Sequence, residues 1–151
     1  MNKEYVEFTK FEKSMNPYMN EWYKSHGYIV DWDCGDYYKD CILKRGKIEL
    51  NIELKYRTVE YSDILIELVQ DMKVCEKGWV HISRADYLHY VVCKEKPIYF
   101  YSIKYKKFKD WFWNHYKDFK HHESYKGRGI TLNAKVPIKD IPKEYILKVQ
   151  I

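Results

Sequence analysis

Between Asp40 and Lys55 the chain reads DCILKRGKIELNIELK, and its second half alternates without a slip: Ile48, Leu50, Ile52 and Leu54 on one side, Glu49, Asn51, Glu53 and Lys55 on the other. Side chains two residues apart in a strand share a face, so this period dictates a strand with an apolar side and a polar one. The run CILK reads as a second strand, and KRGK (Lys44–Lys47) as the basic turn between them, with Gly46 able to take positive φ. Folded as an antiparallel hairpin, the two strands carry Asp40 towards Glu53. An aspartate, a glutamate and a lysine then converge from the spacing D-x12-E-x-K.

Two carboxylates beside an ammonium group suit a hard divalent cation. Mg²⁺ takes one or two protein carboxylates and keeps several waters, and a neighbouring lysine can reach a bound water or a phosphate oxygen. The competing reading is a surface Glu/Lys pair on a hairpin, with Asp40 an ordinary turn aspartate leading into a strand.

The D-x12-E-x-K spacing resembles the metal site of the PD-(D/E)XK nuclease superfamily, an aspartate plus a Glu-x-Lys pair on adjacent strands, although Lys39 stands where that family usually has proline. Downstream, Tyr61–Val92 is similar to small phage and mobile-element nucleases of the superfamily. Ile64–Glu67 resemble their "ILIE" strand, Gly78 and Trp79 their "GW" turn, and Ala85, Asp86, Tyr87 and Tyr90 the "ADY-x-x-Y" segment that starts a helix. Ile130–Pro142 look like their C-terminal strand and "VP-I-x-D-I" element, so the likeness spans about residues 18 to 142. It implies a restriction endonuclease-like fold and a metal-dependent endonuclease that hydrolyses DNA phosphodiesters. Asp40, Glu53 and the Leu54 carbonyl would hold Mg²⁺ or Mn²⁺, and Lys55 would orient or deprotonate the attacking water. Members often add a glutamate from the first helix; Glu21 is the first choice, ahead of Glu7 and Glu12.

The net charge of +5 is concentrated in one segment. Residues 104–129 hold eight Lys/Arg against three Asp/Glu, which leaves the rest of the chain formally neutral. Lys104, Lys106, Lys107, Lys109, Lys117, Lys120, Lys126 and Arg128 are therefore the candidate phosphate contacts, with a merely solvated basic face as the alternative. DNA is the expected partner, and a second copy of the chain is admitted as another. Trp79, Tyr87 and Tyr90 read as core aromatics rather than base-stacking platforms.

At 151 residues the chain is expected to form a single domain over 1–151. Mean hydropathy is −0.66, and no apolar run approaches the roughly 20 residues that span a bilayer. The N-terminus MNKEYVEF is charged too early for a signal peptide. The expected location is the cytoplasm, with Cys34, Cys41, Cys75 and Cys93 as reduced thiols in no zinc-ligand spacing.

Residues 3–26 carry an amphipathic helical period that Pro17 is expected to divide, with Asn16 capping a second helix and Gly27 just past its end. Strands are expected at Tyr28–Asp33, Asp40–Lys44, Ile48–Arg57, Asp63–Met72, Trp79–Ser83 and Ile98–Ile103. Helices are expected at Arg84–Val92 and Phe108–Phe119. The result is a three-layer α/β domain with a mixed central sheet flanked by helices. Outside nuclease chemistry, two readings stay open: a non-catalytic nucleic-acid-binding protein on this fold, and a phage protein-interaction module.

Overall fold

The computed structural model describes residues 3–33, 39–125 and 129–151, the first four of these by their backbone alone. In chain order the elements are α1 (Lys3–Ser25), β1 (Ile29–Asp31), β2 (Cys41–Arg45), β3 (Ile48–Arg57), β4 (Asp63–Asp71), β5 (Glu76–Lys77), α2 (Trp79–Ile82), β6 (Tyr87–Cys93), β7 (Pro97–Lys104), α3 (Tyr105–His115), β8 (Lys120–Tyr125), β9 (Ile130–Pro137) and β10 (Ile146–Gln150). Short 3₁₀ turns follow α3 and β9 and precede β10. None of the described helices is long and apolar enough to cross a membrane.

The hairpin forms where its alternation requires. β2 and β3 pair antiparallel from Cys41–Ile52 to Arg45–Ile48, closed by a two-residue turn whose first position, Gly46, takes φ +59°. That sign is the one a primed hairpin turn demands. Six strands build a mixed sheet in the order β1-β2-β3-β6-β7-β10, antiparallel except for the parallel pair β3–β6. A second, antiparallel sheet runs β5-β4-β9-β8.

Two cores sandwich the larger sheet. Ile52, Leu54 and Tyr56 of β3 pack with Met15, Met19 and Tyr23 of α1 on one face. On the other, Leu88 and Tyr90 of β6 meet Ile64 and Ile66 of β4 and Phe108 and Phe112 of α3. The class is thus mixed α/β around a mixed six-stranded sheet. The layer opposite α1 is a sheet with α3 beside it, where helices alone were expected.

Four expectations about the elements need correction. Pro17 does not divide α1, which runs unbroken. Met15, Met19 and Tyr23 fall on one helical stripe across it, each at most 5% exposed, and burying them outweighs the roughly 3 kcal/mol that proline costs a helix interior. Asn16 makes no cap; its Oδ1 accepts the Tyr56 hydroxyl at 2.6 Å. The C-terminal stop is as expected, with Gly27 N–H donating to Lys24 O at 2.9 Å and Tyr28 N–H to Tyr23 O at 3.1 Å, the two bonds of a Schellman motif.

Residues expected to open a helix at Arg84–Val92 form β6 instead, a central strand whose two faces feed the two cores. The strand expected at Trp79–Ser83 is the single helical turn α2. It is pinned at its start, where Gly78 N–H donates to Leu68 O at 3.0 Å and Trp79 N–H to Glu67 Oε1 at 3.3 Å. A Cβ at position 78 would stand 2.2 Å from Glu67 O, so only glycine fits the "GW" turn. β8 and β10 were not expected.

Candidate active site

β3 continues past the start of β2. The last ladder pair is Cys41 with Ile52, and the Asp40 N–H then donates to Ile52 O at 2.8 Å. Beyond that point no described strand flanks β3 on this side. Asp40 takes the next position, its Oδ2 accepting the Leu54 N–H at 2.6 Å. In an extended residue the N–H and C=O leave the strand on the same side, so the Leu54 carbonyl is aimed off this same edge.

Glu53 projects to the face opposite Leu54 and is 5% exposed. Its Oε1 accepts from Lys55 Nζ at 2.7 Å and its Oε2 from Ser83 Oγ at 3.0 Å. Ser83 follows α2; its own carbonyl accepts from Lys109 Nζ at 3.2 Å, which ties α3 to the site. Lys55 Nζ also stands 5.3 Å from the centre of the Trp79 ring.

Burial lifts the Glu53 carboxyl above its ordinary range and the Asp40 charge adds to this, while Lys55 and Ser83 pull it down without prevailing. Burial alone would lower Lys55, but Glu53 and then Asp40 outweigh it and hold the ammonium well above its usual range. Asp40 acts on both partners, so the three residues singled out by spacing form one electrostatic cluster. Lys55 in this arrangement is a fixed cation and a hydrogen-bond donor.

A cleft of about 560 Å³ opens on this edge between α1 and β3. Asp40, Leu54 and Lys55 line it from the sheet, Glu12 and Lys13 from the helix, and Trp32 from the segment after β1. Glu21 is absent from the lining. Its carboxylate lies 3.7 Å from Lys24 Nζ on an exposed face. Glu21 lies nine positions after Glu12, which at 100° per residue puts them on opposite sides of α1, so the helix presents Glu12 to the cleft and not Glu21. The stripe Glu12, Asn16 and Asn20, at i, i+4 and i+8, is the signal that marks the cleft side of the helix.

Ser83 carried no sequence signal, and His89 none either. The His89 ring is buried on the α1 side of β6, with Tyr23 Oη 2.6 Å from Nδ1 and Ser102 Oγ 3.2 Å from Nε2. Burial pushes its pKa down to about 3. Tyr90, by contrast, has the core position expected of it: its hydroxyl accepts the Leu65 N–H at 3.2 Å.

The basic segment is split. Lys104, Lys106 and Lys107 are exposed at the start of α3, and Lys117 and Lys120 beyond its end, roughly 16 Å away for an eleven-residue helix. Lys109 does not join either group, since it turns back to Ser83 and sits 4.8 Å from the centre of the Tyr105 ring. Lys126 and Arg128 lie outside the described residues.

Among the described residues no group of three or more His, Cys, Asp or Glu side chains is placed to hold a metal ion. A cation here would rest on the Asp40 and Glu53 carboxylates, the Leu54 carbonyl and water, an all-oxygen set of the kind Mg²⁺ accepts. No protein-family model, curated protein or solved structure matches the chain.

Proposed function

We propose that the protein is a divalent-metal-dependent nuclease of the PD-(D/E)XK type, with a restriction endonuclease-like three-layer fold, acting on DNA phosphodiesters in the cytoplasm. One observation carries the reading: β2 stops where Asp40 can cap the Leu54 N–H, so that Asp40, the Leu54 carbonyl and Lys55 come to one open edge beside the buried Glu53. A structural hairpin needs no carboxylate buried there as Glu53 is, because burying charge is costly.

Asp40, Glu53 and the Leu54 carbonyl are the groups that would hold Mg²⁺ or Mn²⁺. When bound, the ion supplies Lewis acidity towards a phosphoryl oxygen and acidifies water. Lys55, held protonated, donates to a non-bridging phosphate oxygen and offsets the charge that builds there in the transition state. Ser83 fixes the Glu53 carboxylate through Oε2 and so sets where Oε1 is presented. Lys104, Lys106 and Lys107 offer phosphate contacts at the positive end of α3, where three cations without an acidic partner in the first turn oppose the helix dipole and await an anion.

The test is incubation of supercoiled plasmid and of paired, nicked, flapped and single-stranded oligonucleotides with Mg²⁺, Mn²⁺ or EDTA. Cleavage with metal and none with EDTA is expected; no cleavage of any substrate under any condition contradicts the proposal. A second reading, a non-catalytic DNA-binding protein, is favoured by the closed pairing of Glu53 with Lys55 and Ser83. It predicts DNA binding with no rise in Tm on adding metal, since only an ion bound to the native state raises Tm.

A further inference from the structure

Trp22 and Trp111 pack on other aromatic rings, as do Trp79 and Trp113, but Trp32 packs on none among the described residues. It is part-buried, and it lines the cleft that also holds Asp40 and Lys55. Its one polar group is already satisfied, because Nε1–H donates to Asn20 Oδ1 of α1 at 3.0 Å. That bond holds the ring in place, and the indole lines the cleft together with Leu54 and Tyr56 and the charged Glu12, Lys13, Asp40 and Lys55. A pre-oriented tryptophan loses little entropy on stacking a ligand ring, and the adjoining lysines provide for a phosphate.

We propose that this cleft seats one unpaired nucleotide, its base stacked on Trp32 and its phosphate at the Asp40–Lys55 end. The inference rests on the nuclease reading and narrows its substrate to DNA with a single-stranded, frayed or flipped-out nucleotide. A base can offer its face to a side chain only after leaving the duplex stack. A cleft of about 560 Å³ falls in the range of small-ligand sites and admits a nucleotide unit rather than a duplex. Sequence tolerance follows, because every base has a π face.

The test is fluorescence titration of the full chain in EDTA, where metal-dependent cleavage is silent. The probes are a short oligothymidylate and a fully paired blunt-ended duplex, applied to wild type, Trp32→Phe and Trp32→Ala. Oligothymidylate is expected to quench wild-type tryptophan emission, and Trp32→Phe to keep the affinity within a few fold while losing most of the quench. Trp32→Ala should bind oligothymidylate roughly 5- to 150-fold more weakly, the fold-range of one base–aromatic stack, and the paired duplex as wild type does. Equal oligothymidylate binding by wild type and both variants overturns the stacking site and leaves the nuclease reading standing. No DNA binding by wild type overturns both. Trp32→Phe, which keeps an aromatic ring in the same pocket, guards against a misfolded Trp32→Ala.

Discussion

At Glu53, burial pushes towards the neutral acid and Lys55 and Ser83 push back, and the balance sets how the site responds to substitution. Ser83→Ala removes one hydrogen bond to the charged form, so the Glu53 pKa should rise further. The acidic limb of the pH–rate profile should then move to higher pH; an unmoved limb would show that Glu53 does not titrate in the reaction. Lys55→Ala removes a cation that repels metal, so the metal-induced rise in Tm should persist or grow, while cleavage falls roughly 10²- to 10³-fold, as when a preorganised donor to the transition state is removed. His89 makes a separate prediction. Its folded pKa of about 3 lies below the ordinary 6.5, so the unfolded chain binds the extra proton first as pH falls. Stability is therefore full above about 6.5 and drops below it by about 1.4 kcal/mol per pH unit, down towards about 3. In urea melts between pH 7 and pH 5, His89→Gln should flatten this decline relative to wild type. An equal decline in both would show that His89 is not the group responsible.

Among the elements, the hairpin was legible because an apolar-to-polar alternation and a turn glycine both survive in one dimension. β6 was not, because a central strand buried on both faces loses its period, and YLHYVV then reads equally well as a helix. The same limit hid Glu12. With Pro17 taken as a break, the phase of the first helical turns was disconnected from Met19, and nothing then decided which glutamate shares the cleft side. β8 is nearly all polar and exposed, so it carries no apolar signal. Asp40, Glu53 and Lys55 could be brought together from sequence because hairpin register fixes them, whereas Ser83 enters from a loop thirty residues away. At α3, combining Lys104→Ala, Lys106→Ala and Lys107→Ala should flatten log K against log salt by about 0.9 for each phosphate no longer neutralised. The corresponding Lys117 and Lys120 variants report whether the far end of the helix touches the same DNA. A slope unchanged in both sets would reduce the segment to a solvated face. At α2, Gly78→Ala forces a methyl group onto the β4 backbone and should lower stability by more than the roughly 1–3 kcal/mol typical of overpacking, read as a shift in the urea midpoint.

For the molecule as a whole, the cleft exists because α1 lies across the sheet where β3 runs on past the start of β2, so the site joins the helix layer to the strand edge. Its parts come from both sides of the sheet: Asp40 and Glu12 open to the cleft, while Glu53 is anchored to Ser83 and, through it, to Lys109 of α3. Substitutions in α1 that keep its buried stripe should therefore change activity without unfolding the chain. The most direct measurement is the single-turnover rate of cleavage of a flapped DNA in Mn²⁺ by wild type, Asp40→Asn, Glu53→Gln and Lys55→Ala purified in parallel. Wild-type cleavage that EDTA abolishes is expected, together with a drop of at least about 10²-fold in each variant. Cleavage at the wild-type rate by all three variants, or none by the wild type, would contradict the nuclease reading.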